Sequence, residues 1–274
     1  PQTQSLRILD SILSMVGLQK GGDLSQIASD IHDVYPTFTA FDRKFPSFTF
    51  ALATGVGKTR LMGVFITYLY TNYGIKNFFV VAPSLTIYNK LTNDLSNESS
   101  PKYVFKGVGC FNYPPNIITG EDYRDKQEAA LLGPINIYIF NAQKFNSTDD
   151  KRKINSPNER LGESFMDFLR QKKDLVVIMD EAHHYRDNST GDALDNLNPL
   201  LGLELTATPQ VVNGKKTVPF RNVVIDYPLA KSIRDGYTRT PFALTRKDLE
   251  KRNWTDDEMD KMMLEDGITW HEHI

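Results

Sequence analysis

Residues 48–59, which read FTFALATGVGKT, decide the fold of this chain. The apolar run 48–53 has the length of a buried strand, and it leads into a turn that contains Gly55 and Gly57. Apolar residues then recur with the spacing of one helix face, at Leu61, Val64, Phe65, Tyr68 and Leu69. The sequence therefore predicts a strand, a tight turn and a helix in direct succession.

The turn has the composition of a loop that binds phosphate groups. Glycines allow the backbone to fold around an anion, so that its N–H groups and the start of the helix face the anion's oxygens. Lys58 would place a positive charge at the β- and γ-phosphates of a nucleotide, and the Thr59 hydroxyl would ligate Mg²⁺. Leu52 stands where the general pattern has a glycine. ATP and Mg²⁺ are the predicted ligands, and the predicted nucleotide-binding residues are Thr54, Gly55, Val56, Gly57, Lys58, Thr59 and Arg60.

A second apolar run, 175–179, is followed at once by Asp180 and Glu181. The run predicts a strand that delivers both carboxylates to the carboxyl edge of a parallel sheet, where ligands bind in open α/β folds. Asp180 is the predicted Mg²⁺ ligand, and Glu181 is predicted to orient and deprotonate the water that attacks the γ-phosphate. Lys58, Asp180 and Glu181 form the predicted catalytic set.

His183 and His184 follow the acid pair and leave two interpretations open. The first is a zinc site, although the HExxH spacing is absent and no cysteine completes the set. The second is that His183 connects the nucleotide site to the next motif, while His184 packs or faces solvent.

That next motif is LTATP at 205–209, which carries two hydroxyls at the end of a short apolar run. Hydroxyls beside the acid pair can hydrogen-bond to it and transmit the state of the nucleotide to another surface. Thr206 and Thr208, together with His183, are the predicted coupling residues.

The remainder of the chain repeats the alternation of apolar strands and helices. Further strands are predicted at 78–82 and 135–140, and helices at 6–16, 24–31 and 85–95. Apolar strands that alternate with helices predict an α/β fold, with a parallel sheet covered by helices on both faces. The stretches 97–125 and 147–158 are polar and rich in turn residues, so they are predicted to be excursions from this core.

Composition narrows the class of protein but does not identify a partner. The chain has 274 residues, 40% of them hydrophobic and 24% charged, and a formal net charge of −2. The charge argues against a small basic nucleic-acid-binding module. The single cysteine, Cys110, excludes an internal disulfide, which favours a cytoplasmic location. No apolar run approaches the roughly 20 residues of a membrane helix, so no membrane association is predicted.

In this order, ATGVGKT, DEAH and TATP resemble motifs I, II and III of superfamily 2 helicases. More narrowly, the chain resembles the restriction (Res) subunit of type III restriction enzymes. Four less specific segments also resemble this family: VAPSL at 81–85, NAQKF at 141–145, DYPLA at 226–230 and LEDG at 264–267. The resemblance implies a RecA-like P-loop NTPase domain, the first motor domain of a nucleic-acid-dependent ATPase.

The resemblance also implies partners and contacts. Five residues match segments that touch a nucleic-acid backbone: Pro83, Ser84, Leu85, Asn141 and Gln143. Their alternative role as helix caps and turn residues stays open. Duplex DNA is the implied substrate and a DNA methyltransferase subunit the implied partner, although the residues themselves do not separate DNA from RNA.

Domain boundaries are predicted as follows. Residues 1–45 form a helical segment that packs on the motor domain, 46–226 form the ATP-binding domain, and 227–274 are a connector towards a second RecA-like domain. That second domain would supply an arginine to the reaction, so the chain alone is expected to bind ATP and hydrolyse it slowly. The sequence disfavours two other classes of protein. A small-molecule phosphotransferase is disfavoured by DEAH followed by TATP, and an inactive scaffold by the complete set of Lys58, Thr59, Asp180 and Glu181.

Overall fold

The computed structural model describes residues 1–126, 130, 133–143, 165–186, 188–213, 216–240 and 255–272. The chain divides into two compact units, Pro1–Thr238 and Arg239–Ile274. The predicted excursion 147–158 lies outside the described residues. In the described part of the chain, no helix is both long and apolar enough to cross a membrane.

The described residues of the first unit form nine strands. In chain order they are β1 (Ser47–Leu52), β2 (Asn77–Ala82), β3 (Asn116–Thr119), β4 (Asn136–Asn141), β5 (Leu175–Asp180), β6 (Leu201–Thr206), β7 (Gln210–Asn213), β8 (Lys216–Pro219) and β9 (Val223–Tyr227). Seven of them form one sheet in the order β3-β4-β2-β5-β6-β1-β9, and every neighbouring pair is parallel. β7 and β8 form a separate antiparallel hairpin. The predicted parallel sheet is confirmed.

The helices are α1 (Gln2–Val16), α2 (Leu24–Val34), α3 (Lys58–Tyr73), α4 (Leu85–Ser96), α5 (Phe165–Arg170), α6 (Asn188–Asp195) and α7 (Leu229–Arg234), with a 3₁₀ turn at Ala182–Tyr185. The second unit contains α8 (Asp256–Glu272). Side chains cap the amino-terminal ends of two of these helices, and of the two only Ser84 was named above as a possible cap. Asp23 accepts hydrogen bonds from the backbone of α2, and Ser84 accepts one from Ile87 N of α4.

Helices cover both faces of the sheet because its strands are apolar on both sides. Along β2, Phe78 and Val80 pack with buried residues of α1, α3 and α4, whereas Phe79 and Val81 pack with buried residues of α5 and α6. Both sets of side chains are fully buried. This burial on two faces is what a near-continuous apolar strand requires.

Three strand features were not predicted. β3 lies inside the stretch 97–125, which was interpreted wholly as an excursion, and it pairs with β4 at the edge of the sheet. β9 extends the opposite edge by pairing with β1. The β7–β8 hairpin follows the TATP motif directly. Each of the four strands involved is only four or five residues long, too short for its periodicity to separate strand from loop.

The strand order positions the predicted motifs. β6 lies between β1 and β5, so the carboxyl ends of these three strands are neighbours at one edge of the sheet. The glycine turn follows β1, the acid pair ends β5 and continues beyond it, and Thr206 ends β6. Residues far apart in sequence therefore meet at this edge.

Candidate functional site

The loop after β1 has the backbone of an anion cradle. Gly55 and Gly57 have φ angles of 86° and 88°, in the left-handed region that glycine adopts without strain. Gly57 precedes the first residue of α3, Lys58. A Cβ at Gly57 would lie 2.8 Å from Gln2 Nε2, so a side chain there would displace the end of the Gln2 side chain in addition to straining the backbone. The start of α3 therefore faces the carboxyl edge of the sheet with its N–H groups free to meet an anion.

Two residues outside the loop hold its backbone. Gln2, at the start of α1, donates from its side-chain amide to the carbonyl of Val56. Thr238 donates from its hydroxyl to the carbonyl of Thr54 at 3.2 Å. Neither contact was predicted, because a single glutamine or threonine at a distance of tens or hundreds of residues carries no sequence pattern.

Asp180 is held at the end of β5 in a largely buried position, with 7% of its surface exposed. Burial and the neighbouring Glu181 raise the pKa of the Asp180 carboxyl to about 6. The positive charges of Lys58 and Lys90 act in the opposite direction. A buried carboxylate that two cations compensate only in part is well suited to a divalent metal ion.

Glu181 begins the 3₁₀ turn with a left-handed backbone, at φ 50° and ψ 56°. This conformation costs a residue with a side chain on the order of 1–2 kcal/mol. It directs the carboxylate back across the sheet edge, where Oε1 lies 3.1 Å from Lys58 Nζ. Lys58 also donates to the carbonyl of Leu52 at 3.4 Å. Two predicted catalytic residues are thus in contact, and one is held in a strained conformation typical of functional positions.

His183 connects the acid turn to β6. Its Nδ1 lies 3.0 Å from Thr206 Oγ1 and 3.6 Å from Glu181 Oε2. Thr206 Oγ1 in turn accepts a hydrogen bond from Thr208 N at 3.0 Å and donates to Thr208 O at 3.1 Å. Burial and the neighbouring His184 lower the pKa of His183, so the ring is neutral at pH 7 and acts as a hydrogen-bonding group. The three predicted coupling residues form one chain of contacts.

His184 is exposed and its ring lies against that of His183, with 4.1 Å between the centroids. In the described part of the chain, no three or more His, Cys, Asp or Glu side chains are grouped to hold a metal. Mg²⁺ differs from zinc in this respect, because it is usually bound by one or two carboxylates together with substrate phosphates.

The side chain of Arg60 is engaged away from the loop. Its guanidinium donates to the carbonyls of Tyr103 and Val104, at 2.9 and 2.6 Å, and to that of Lys106 at 2.6 Å. The guanidinium therefore anchors the segment 103–106 against α3. The prediction that Arg60 binds nucleotide therefore applies only to its backbone N–H group, which lies in the first turn of α3.

The five residues matched to nucleic-acid contacts lie at the ends of two neighbouring strands. β2 and β4 are paired up to Ala82 and Asn141, so the segments that follow them are adjacent. Ser84 caps α4, and Asn141 accepts a hydrogen bond from Gln143 N at 3.1 Å. Pro83 is half-buried, and Leu85 and Gln143 are exposed. Capping and turn roles are thus observed for two of the five, and a ligand could reach the other three.

The residues at this edge fit a Mg²⁺-bound nucleotide. The glycine turn and the start of α3 provide N–H donors, Lys58 a positive charge, and Thr59 and Asp180 oxygen ligands for a hard cation. A cleft of about 450 Å³ opens beside Thr59, lined also by Lys90 and by the segment 101–106. Donors, cation and carboxylates converge at the ends of adjacent strands, as ligand sites of open α/β sheets do.

These features define a class. A parallel sheet with a phosphate-type loop after its first strand, an acid pair after β5 and a threonine motif after β6 is a RecA-like domain of superfamily 2 helicases. The family model of the res subunit of type III restriction enzymes matches residues 24–211, more than half of the chain. The chain belongs to this family and is a superfamily 2 helicase-like motor domain.

Other comparisons give weaker likenesses. No curated protein matches the chain. One similar structure is a nuclease-deletion mutant of the Type ISP restriction-modification enzyme LlaGI in complex with a DNA substrate mimic. Its sequence identity to this chain is 13% and the TM-score is 0.47, and the match covers 85% of this chain and 22% of the LlaGI chain. The ATP-dependent Type ISP enzyme LlaBIII bound to DNA is 11% identical with a TM-score of 0.45, over 80% and 16%. The Pyrococcus furiosus Hef helicase domain is 19% identical with a TM-score of 0.37, over 61% and 30%. The chain spans less than a quarter of the first two.

Proposed function

We propose that this chain binds and hydrolyses ATP as the first motor domain of a DNA translocase, the restriction subunit of a type III restriction system. The observation that supports this most directly is the meeting of Lys58 and Glu181 beside Asp180. A phosphate-binding cation, a metal-binding carboxylate and a candidate base are the parts that phosphoryl transfer to water requires.

Each residue has a defined role in this proposal. The ammonium of Lys58 binds the β- and γ-phosphates and exchanges its contact with Glu181 for them. Glu181, released from Lys58, orients the attacking water and accepts its proton. Its left-handed backbone holds the carboxylate over the loop instead of along the strand direction. Thr59 and Asp180 would hold Mg²⁺. When bound, Mg²⁺ supplies charge neutralisation at the phosphate oxygens.

The nucleic acid is proposed to lie along the ends of β2 and β4. Pro83, Leu85 and Gln143 offer contacts there, and Ser84 and Asn141 shape the backbone that presents them. DNA is favoured over RNA because the family is that of restriction subunits. A second RecA-like domain, an arginine that it supplies, a cytoplasmic location and a methyltransferase partner belong to the same proposal. So does the division into 1–45, 46–226 and 227–274.

Nucleotide binding tests the proposal. Lys58→Ala removes the side-chain cation of the loop, so calorimetric titration should show a loss of Mg·ATP affinity of about 10-fold or more, equivalent to about 1.4 kcal/mol. Lys44→Ala removes an exposed lysine in another loop and should bind as the wild type does. Hydrolysis is then measured without nucleic acid and with duplex DNA, single-stranded DNA or RNA. Unchanged affinity in Lys58→Ala would refute the assignment of the loop, and stimulation by RNA alone would refute the choice of DNA.

A further inference from the structure

A carboxylate lies in the interior of the sheet, in the middle of β6. Glu204 is fully buried, between Leu203 and Leu205, which face the opposite side of the sheet. It lies beside Thr49 of β1, whose hydroxyl donates to it at 3.1 Å. Along a strand, alternate side chains share a face, so Glu204 is on the same face as Thr206. None of the proposed catalytic roles uses this carboxylate.

Two arginines neutralise Glu204. Arg43 Nε lies 3.3 Å from its Oε1, and Arg186 donates to its Oε2. Arg186 Nη1 also lies 3.0 Å from Asp42 Oδ2, and Arg43 donates to the carbonyl of Tyr185 at 3.0 Å. Tyr185 and Arg186 end the turn that Glu181 begins. The cluster therefore joins this turn to β6.

The acid turn is consequently attached to β6 at two points. His183 contacts Thr206 near its start, and Arg186 contacts Glu204 at its end. Because Glu204 and Thr206 share one face of one strand, the turn cannot shift along β6 without breaking or moving both contacts. Any displacement of Glu181 is thereby linked to Arg186.

Arg186 reaches a third element, the root of the β7–β8 hairpin. Its guanidinium carbon lies 3.8 Å from the centroid of the Phe220 ring. Phe220 N donates to the carbonyl of Pro209 at 2.9 Å, which closes the hairpin at its base. The hairpin itself is exposed, with 66% of Val212 and 51% of Val218 accessible. Arg186 thus stands between the turn that carries Glu181 and an exposed element.

Stability alone is a weak explanation for this cluster. Desolvating charged groups offsets most of what their pairing contributes, and apolar replacements of such clusters are often as stable. The Nε of Arg186 is buried without a hydrogen-bond partner, the one side-chain atom of the described residues in that condition. Leaving a buried donor unpaired is energetically unfavourable, because the group loses its hydrogen bonds to water and gains none in the protein. The contacts of Arg186 with Glu204 and Asp42 therefore fix the position of its side chain even though its Nε loses hydrogen bonding.

We propose that Arg186 and Glu204 are positioning residues that transmit the state of the nucleotide site to the β7–β8 hairpin. This rests on the proposed function. When Lys58 exchanges Glu181 for phosphate, the turn 181–186 adjusts on β6, and Arg186 carries the adjustment to Phe220 and the hairpin. The hairpin would in this way sense whether a nucleotide is bound.

Amide hydrogen exchange of the hairpin tests this, with Mg·ATPγS as the probe. Arg186→Lys keeps the positive charge but loses the planar fork that contacts Glu204, Asp42 and Phe220 together. Arg221→Lys is the matched control, because Arg221 also pairs with Asp42, at 2.7 Å, but its guanidinium is largely exposed and bonds Asp42 and the carbonyl of Phe41. Calorimetry gives each protein's affinity, and thermal unfolding reports its stability.

In the wild type and in Arg221→Lys, we expect Mg·ATPγS to change the exchange rates at 210–213 and 216–219 by roughly 5-fold or more, the lower range of allosteric coupling. In Arg186→Lys we expect affinity within about 3-fold of the wild type, equivalent to about 0.7 kcal/mol, and no such change. A full nucleotide-dependent change in Arg186→Lys, or none in the wild type despite binding, would overturn the inference. If the wild type fails to bind Mg·ATPγS, the proposed function fails instead, and the inference with it. If Arg186→Lys is unfolded, Phe220→Leu, which removes the ring but no charge, takes its place with the same expected result.

Discussion

Lys58 Nζ lies 3.1 Å from Glu181 Oε1, although the two residues belong to different strand–loop segments with β6 between their strands. A lysine and a glutamate that pair in this way neutralise each other while the phosphate position is open. Lys58 can exchange its contact with Glu181 for one with a phosphate, and Glu181 can then contact a water. Neither exchange leaves an unpaired buried charge, because both side chains are partly exposed, at 10% and 25%. In the proposed function, the pair therefore connects nucleotide binding to the release of the candidate base.

The first prediction separates binding from chemistry at Glu181. Glu181→Gln keeps the shape and hydrogen-bonding capacity of the side chain but removes the base. Mg·ATP should still bind, while turnover falls by about 10²-fold or more. Calorimetry measures the first and phosphate release the second. Glu98→Gln, an exposed glutamate in another loop, serves as the control. Normal turnover in Glu181→Gln would show that another group positions the water.

The second prediction concerns the pH dependence of stability that arises from Asp180. Its pKa is raised to about 6 from the ordinary 3.8, chiefly by burial. A carboxyl whose pKa is raised by folding stabilises the protein below its unfolded pKa, and this contribution is lost as the pH rises through the folded pKa. In EDTA, the free energy of unfolding of the wild type should therefore fall by about 3 kcal/mol between about pH 4 and about pH 6 because of this group.

Asp180→Asn lacks this loss, so its stability relative to the wild type should increase across the same window and be greatest near pH 8. The same variant should lose the Mg²⁺ dependence of nucleotide binding, because an amide is a weaker ligand for a hard cation. Denaturant unfolding at several pH values measures the first effect. Asp125→Asn, at an exposed position, should follow the wild-type profile. If the free energy of unfolding depended on pH in the same way in the wild type and in Asp180→Asn, the buried position of the Asp180 carboxyl would be contradicted.

The third prediction uses the two adjacent histidines. His183→Ala removes the contact with Thr206, which links the acid turn to β6. Nucleotide affinity should change little. The stimulation of ATP hydrolysis by DNA, measured in a protein that also contains the proposed second motor domain, should fall by roughly 10-fold, which is within the usual range of coupling between two sites. His184→Ala removes the exposed neighbouring ring and should retain stimulation. Equal effects of the two substitutions would mean that the histidine pair acts only by packing.

The sequence was sufficient for the parts of the site whose residues are close together in the chain. Lys58 and Thr59 follow a strand and glycines, and Asp180 and Glu181 end another apolar run, so local pattern predicted both strand ends. Parallel pairing then brings strand ends together at one edge, which is a general property of such sheets. The fold class followed from the same alternation of strands and helices.

The sequence was insufficient for contacts between distant segments. Gln2 and Thr238 each hold the loop through one hydrogen bond, Arg43 contacts Glu204 and Tyr185 behind the site, and no spacing connects these residues to their partners. One signal was available and unused. Glu204 interrupts the apolar run at 201–205 in a strand that the fold buries on both faces, and a buried carboxylate requires cations nearby. Glu204 could have indicated a charged cluster, but not which arginines supply it.

The last prediction concerns the proposed DNA surface at the ends of β2 and β4. Substituting Ser84 or Asn141 would disturb a helix cap or a turn as well as any ligand, so neither gives a clean test. Gln143 is exposed, and Gln143→Ala should leave the melting temperature unchanged.

We expect Gln143→Ala to lower the affinity for duplex DNA by about 3- to 10-fold, equivalent to the 0.5–1.5 kcal/mol of one hydrogen bond. Because an amide releases no counterion, the slope of log affinity against log salt should remain that of the wild type. Fluorescence anisotropy at several salt concentrations measures both quantities. Gln19→Ala, at an exposed position just after α1, is the matched control and should bind DNA normally. Equal DNA affinity in Gln143→Ala and the wild type would remove Gln143 from the proposed surface, and a changed slope would indicate that the substitution had moved a neighbouring charged contact instead.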